Sequence, residues 1–389
     1  MIEKIKNLSN EFFDEIVSIR RHIHKYPELS FNEHETSAYI KSILNKWNIP
    51  FTENIADTGI VVLIKGRNNH VRTIALRADF DALPITEKNS ISYKSVNQGV
   101  MHACGHDAHT ASLLGALKIL NTLKQEWDGA IKFIFQPAEE QFPGGAKQMI
   151  KEGVLKSPGV EKVIGQHVFP DLEVGKVGFC PGQYMASADE IEIYIEGIGG
   201  HAALPHTYNN PILAASRLIL DLNDFFMPLD KYSSVFAIGF FEGLGHGNVI
   251  PDNVHLKGTF RTLCEDFRNK AHTKMRLIGD HIAKKYNVKL NFVIKKGYPS
   301  LINDKSLTLS LIDFAKEFLG KNNVINLSSR MTAEDFAYFS REIPSCFYRL
   351  GTANIDKGIK HGLHTARFNI DEESLKIGMG LMAYIAAKC

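Results

Sequence analysis

Residues 101–140 read MHACGHDAHTASLLGALKILNTLKQEWDGAIKFIFQPAEE. A loop rich in thiol, imidazole and carboxylate leads into a stretch, about Ala108–Lys124, where Leu113, Leu114, Leu117 and Leu120 recur at helical spacing. Ala130–Phe135 is then an apolar run of strand length, followed at once by Gln136-Pro-Ala-Glu-Glu140. Upstream, Gly59–Lys65 and Thr73–Arg77 are further buried-strand runs, and RADFDALP (77–84) sets Asp79 and Asp81 just past the second. Downstream, Gly144-Gly145 opens a helix and Val160–Gly165 reads as a strand terminating at His167. Strands alternating with helices predict an α/β domain, a mostly parallel sheet with helices on both faces. Ligands collect beyond the carboxyl ends of such strands, where Asp79, Asp81, Glu139, Glu140 and His167 are all expected. One amphipathic helix is expected over Ile2–Ile23, ended before Pro27, and a second over about Glu33–Trp47.

After about Gln183 the pattern changes. Asp189–Glu196 alternates apolar and charged residues with period two, as a strand with one solvated face does. A helix (about 211–226), strands (about 233–241 and 254–262), a helix (about 265–286) and a strand (288–294) follow. The order β-α-β-β-α-β predicts an inserted α+β, ferredoxin-like lid and dimerisation domain. The α/β pattern resumes with a helix at 306–319, a strand at 346–350 and a closing helix at 371–387. The expected division is catalytic domain 1–183, inserted domain 184–297, catalytic domain 298–389.

Composition narrows the function classes. Among 389 residues, Lys+Arg 45 against Asp+Glu 43 leaves a net charge of +2 with no long run of one sign, so neither nucleic acid nor a membrane is an expected partner. Small molecules are. The amino terminus lacks the uninterrupted apolar core of a signal peptide, and the cysteines (Cys104, Cys180, Cys264, Cys346, Cys389) are odd in number and scattered. A cytoplasmic protein is expected.

Cys104 and His106 flank a glycine that lets the backbone turn, and thiolate with imidazole suits zinc or a neighbouring first-row metal. Cys104, His106, Glu140 and His167, with one of His361 and His364, make five candidate ligands. Five exceed a closed tetrahedral site, which favours two ions about 3.5–4 Å apart over a single structural zinc. In Glu139-Glu140 one carboxylate can ligate while the other handles the proton of a water. The inserted domain adds GIGGHAALPH (197–206), GNVIPDN (247–253) and GTFRT (258–262), where a guanidinium could pair a substrate carboxylate.

RRHIHKYPELSFNEHET, RADFDALP, MHACGHDAHT, FQPAEE, GGHAALPH, NVIPD, GTFRT and AEDFAYF resemble, in order and spacing, the aminoacylase and carboxypeptidase family of dinuclear-metal amidohydrolases. The likeness is strongest to the subfamily of hippurate hydrolases, indole-acetyl-amino-acid hydrolases and N-acetyl-diaminopimelate deacetylases, and spans nearly the whole chain. It implies that Cys104, His106, Glu140, His167 and His364 hold two divalent ions (Zn, Mn, Co or Ni), with Glu139 as general base and Asp81 orienting the metal site. Asp79 stands where relatives outside the subfamily carry a ligand His, which His106 replaces. His201 is implied to polarise the scissile carbonyl, in several relatives across a dimer, and Asn248 and Arg261 to bind substrate. Glu334 lies near the site in relatives, without an assigned role, and His102 and His109 are scaffold. The implied reaction is hydrolysis of N-acyl amino acids (N-acetyl, benzoyl or indole-acetyl) by a homodimer, with a metallo-dipeptidase or carboxypeptidase as the alternative.

Overall fold

Thr73–Asp79, Ala130–Gln136 and Ser345–Ala353 are largely apolar or β-branched. In the computed structural model, which describes residues 1–227 and 233–389, every residue of these three strands is buried. Strands buried on both faces need cover on both, the arrangement of an α/β fold. Two compact units form. The first comprises Met1–Gly182, Ile302–Ser328 and Asp335–Cys389; the second comprises Gln183–Leu301 and Ser329–Glu334, the latter a stretch that the sequence reading assigned to 298–389.

The first unit holds a mixed sheet of eight strands in the order Phe51–Ile55, Gly59–Lys65, Ala130–Gln136, Thr73–Asp79, Lys162–Glu173, Ser345–Ala353, Val177–Phe179, Val324–Asn326. Its middle is parallel: Ala130–Gln136, Thr73–Asp79, Lys162–Glu173 and Ser345–Ala353 run the same way. Helix His106–Thr122 packs against the closing helix Ser374–Lys388 and the amino-terminal helices over this sheet in one apolar core.

Three expectations need correction. The amino-terminal helix is two, Ile2–Glu11 and Phe13–Lys25. The backbone relaxes at Phe12 (φ −88°, ψ −4°), whose ring is buried with the Lys118 ammonium 4.2 Å from its centroid. Strand Phe51–Ile55 escaped notice because it lies at the sheet edge and its central residues Thr52, Glu53 and Asn54 are polar and exposed. Finally, the strand carrying His167 does not end there but continues to Glu173, paired along its length with Ser345–Ala353. Since Arg77 pairs with Gly165, His167 stands level with Asp79, where the neighbouring strand stops.

In the second unit, Ser234–Glu242, Asn253–Thr262, Ser187–Glu196 and Lys289–Lys296 lie in that order, all antiparallel. Ile191, Ile193 and Ile195 turn inward onto helices Pro211–Phe226 and Glu265–Tyr286, while Glu190, Tyr194 and Glu196 face outward. A separate ribbon pairs Gly200–His201 with Val249–Ile250.

Candidate metal centre

Gly105 is where the motif turns. Its φ of +83° is left-handed, and a Cβ there would lie 2.5 Å from Val168 Cγ2, so only glycine fits between Cys104 and the start of helix His106–Thr122. The turn brings Cys104 Sγ within 3.5 Å of His167 Nε2 and 3.4 Å of His364 Nε2. His364 Nε2 is in turn 3.2 Å from Glu140 Oε1. Two donor groups result, Cys104–His106–His167 and Cys104–Glu140–His364, with the donor atoms of each within 4.8 Å of one another. Cys104 is common to both.

The donors are oriented as ligands. His106 Nδ1 donates to Asp81 Oδ1 at 3.0 Å and His167 Nδ1 donates to the Val168 carbonyl at 2.7 Å, so each ring turns its Nε2 toward the cluster. His106 Nε2 is buried without a hydrogen-bond partner, 3.9 Å from Glu140 Oε1. A buried nitrogen left bare among anionic donors is what an absent cation explains. Electrostatics agree. Burial opposes charge on His106, yet Asp79 and Cys104 outweigh it and hold the imidazole well above its ordinary value. Contacts with Cys104 and then Glu140 push His364 up to about 10. Burial first, then Arg349, keeps His167 well below its ordinary value and so neutral. Burial and Glu140 push the Cys104 thiol up, so a thiolate there needs a cation beside it. The residues fit a divalent metal.

Glu139 is buried beside the cluster, and its carboxylate forms a group with His106 and Glu140. Its Oε1 accepts the Asp335 N–H at 3.4 Å. Asp81 does two further things: its Oδ2 accepts the Glu140 N–H at 2.9 Å and the Ser30 hydroxyl at 2.6 Å. Asp79 is differently employed. One oxygen accepts from Arg77 and the other from His109, both at 2.6 Å. His109 uses its second nitrogen to accept the Val168 N–H at 2.8 Å, so both ring nitrogens are engaged, although Asp79, His106 and His109 also lie close enough to form a donor group. His102 is buried without a ring hydrogen bond, and burial pushes it down to about 3. His361 enters no donor group among the described residues.

The second unit carries the other expected site residues. His201 pairs with Val249 across the small ribbon, and the Asn248 carbonyl accepts the Ala202 N–H at 3.0 Å, so His201 and Asn248 are neighbours. Arg261 lies on strand Asn253–Thr262, half-buried, with Nη1 donating to the Met331 carbonyl at 3.2 Å.

Several supporting residues went unremarked in the sequence. Arg77 and Gln136 both donate to Asp335, whose second oxygen accepts the Ala146 N–H at 2.9 Å. The available signal was an Arg in the otherwise apolar run TIALRAD. Glu33, wholly buried, accepts the Ala138 N–H at 2.8 Å, and burial followed by the nearby Asp81 pushes its carboxyl up to about 7.

Comparison with known proteins identifies the family. The chain is 39% identical over 378 residues to an N-acetyl-L-cysteine deacetylase of Bacillus subtilis, covering 96% of this chain and 88% of that one. It is 37% identical over 391 residues to an IAA-amino acid hydrolase (ILR1-like 4) of Arabidopsis thaliana, covering 97% and 86%. The crystal structure of the Bacillus subtilis YXEP protein, described as a dinuclear metal-binding peptidase, matches with a TM-score of 0.84 at 34% identity over 97% of this chain and 98% of that one. The peptidase family M20/M25/M40 matches residues 75–388. With a donor cluster that fits divalent metal and a sequence matched along nearly its whole length, the chain belongs to the peptidase family M20/M25/M40 and is a metal-dependent hydrolase of amide bonds.

Proposed function

We propose that the protein hydrolyses N-acyl amino acids, of the N-acetyl, benzoyl or indole-acetyl type, to a carboxylic acid and a free amino acid. The observation that carries this reading is the pair of donor groups sharing Cys104, with Glu139 set beside Glu140. Cys104, His106 and His167 would hold one divalent ion, and Cys104, Glu140 and His364 the other, from among Zn, Mn, Co and Ni. When bound, such ions supply Lewis acidity that makes a nucleophile of water near neutral pH. Glu139 takes the proton of the attacking water and passes it to the departing amine nitrogen. Asp81 fixes the His106 ring and the Glu140 backbone through separate oxygens. His201 Nδ1 accepts the Ala203 N–H at 3.1 Å, which leaves Nε2 as the protonated nitrogen. That donor suits the role of polarising the scissile carbonyl. Arg261 is assigned the substrate carboxylate and Asn248 a polar contact to substrate.

The inserted unit is read as a lid and a dimerisation surface. Its edge strand Ser234–Glu242 exposes Val235, Phe240 and Phe241, each at least 40% accessible, as an edge that another copy can pair with. Light scattering should give a homodimer. The five cysteines form no disulfide among the described residues, which suits the reducing cytoplasm.

The test is amino-acid release from acetyl, benzoyl and indole-acetyl conjugates after chelation and metal add-back. Glu139→Gln should lower kcat by about 100-fold or more while bound metal is retained. No turnover of any N-acyl amino acid by metal-loaded protein refutes the reading, and turnover of free dipeptides alone supports the dipeptidase alternative.

A further inference from the structure

YPELSFNE (26–33) lies outside the donor cluster, yet Glu33 reaches the loop that carries Glu139 and Glu140, and Ser30 reaches Asp81, which holds that loop. We infer that Glu33 is a positioning residue for the general base, holding the backbone of Ala138 in the left-handed conformation that aims Glu139, with Ser30 supporting Asp81 as the second clasp. This rests on the reading of Glu139 as the base.

Ala138 has φ +53° and is wholly buried. A left-handed alanine costs about 1–2 kcal/mol, so its surroundings must impose it. Three hydrogen bonds do so. Glu33 Oε1 accepts the Ala138 N–H at 2.8 Å, the Ala138 carbonyl accepts the Gly145 N–H at 3.0 Å, and Asp81 Oδ2 accepts the Glu140 N–H at 2.9 Å. The loop is also confined sterically: a Cβ on Gly145 would stand 1.9 Å from the Pro137 oxygen. Glu33 is itself anchored, since Thr58 Oγ1 donates to its Oε2 at 3.1 Å. Ser30 Oγ donates to the Asp81 oxygen that holds the Glu140 N–H. Glu139 is thus flanked on both sides by backbone amides held by buried carboxylates. Among the described residues Glu33 belongs to no donor group.

The variants are Glu33→Ala, Glu33→Gln and Glu33→Ala with Ala138→Gly, compared with the parent in metal-loaded protein. A misaimed base costs about 100-fold, so Glu33→Ala should lower kcat by about that factor. KM should change by less than about 3-fold, because the loss falls on the transition state. Glu33→Gln keeps an acceptor for the Ala138 N–H and should retain about 10-fold more kcat than Glu33→Ala. Glycine takes positive φ without penalty, so adding Ala138→Gly should restore about 5-fold. A merely structural Glu33 gives no such rescue. The second readout needs no turnover: deuterium exchange of the peptide covering residues 137–141 should be about 10-fold faster in Glu33→Ala, with the neighbouring strands unchanged. If Glu33→Ala folds poorly, Thr58→Val releases the same carboxylate from its other side and should give the same local exchange. An inactive parent overturns the functional reading, and exchange still judges the positioning. Unchanged exchange at 137–141, or an active parent whose kcat Glu33→Ala leaves intact, overturns the inference.

Discussion

Replacing Arg20 by Met should destabilise the first unit more than any surface substitution can. The guanidinium is wholly buried, its Nε donating to Asp107 Oδ2 at 2.7 Å and Nη2 to Asn369 Oδ1 at 3.0 Å. His24 Nδ1 donates to the same Asp107 oxygen at 2.8 Å, and Tyr93 stacks 5.0 Å from the guanidinium carbon. Burial alone would push the Asp107 carboxyl up. Arg20 and His24 outweigh it and hold the group far below its ordinary value, so it is charged at neutral pH. Removing one partner of a buried pair leaves the other uncompensated, which costs about 3–5 kcal/mol. With a urea slope of about 3 kcal/mol/M for a unit this large, the midpoint should fall by about 1–1.7 M. Trp47 and Trp127, the only tryptophans, both lie in this unit, so their fluorescence follows its unfolding. A chelator present throughout keeps metal occupancy out of the comparison. Asp107→Asn alone should cost a similar amount, and the double variant less than the sum by about 2 kcal/mol or more, because the second change removes the charge that the first left stranded. An Arg20→Met midpoint within about 0.3 M of the parent, or additivity in the double variant, refutes the argument.

Gly105→Ala must place a Cβ 2.5 Å from Val168 Cγ2 at a φ of +83°. It should cost about 3 kcal/mol from strain and overlap together and lower bound metal per chain, measured by elemental analysis; full metal occupancy would speak against the turn as the device that joins Cys104 to His106. In the second unit, burial pushes Asp189 up, but hydrogen bonds from His272 and then Arg268 outweigh it and hold its carboxyl below the ordinary value of 3.8. A carboxylate depressed in the folded state binds fewer protons there than unfolded, so its contribution is complete above about pH 4 and is lost as pH falls through the folded value. Asp189→Asn should therefore destabilise by about 2–4 kcal/mol at neutral pH, and the deficit should shrink toward about pH 2 as the parent's own carboxyl protonates; an equal deficit at both, by circular dichroism in denaturant, contradicts the assignment.

Much of the α/β unit was legible because hydrophobic periodicity records which face of an element is buried. TIALRAD and AIKFIFQ read as buried strands, and the Leu113–Leu120 spacing as a helix, and each forms where expected. The short edge strand Phe51–Ile55 was not legible, since an edge with polar central residues carries no such record. The candidate ligands could be named because Cys-Gly-His and Glu-Glu are unusual as packing residues.

What the sequence by itself determined, then, is which segments build the middle of the sheet and which residues are candidates for the chemistry. Only the tertiary structure decided how those residues are used. It makes Cys104 common to two donor groups. It occupies the Asp79 carboxylate with Arg77 and His109, and gives the amino-terminal motif its tasks, with Arg20 and His24 on Asp107, Ser30 on Asp81 and Glu33 on Ala138. The physical reason is that these are hydrogen bonds between buried polar groups, most of them far apart in the chain. Apolar burial leaves a period that can be read locally, whereas the pairing of one buried polar atom with another is fixed only when the strands and helices that carry them have come together.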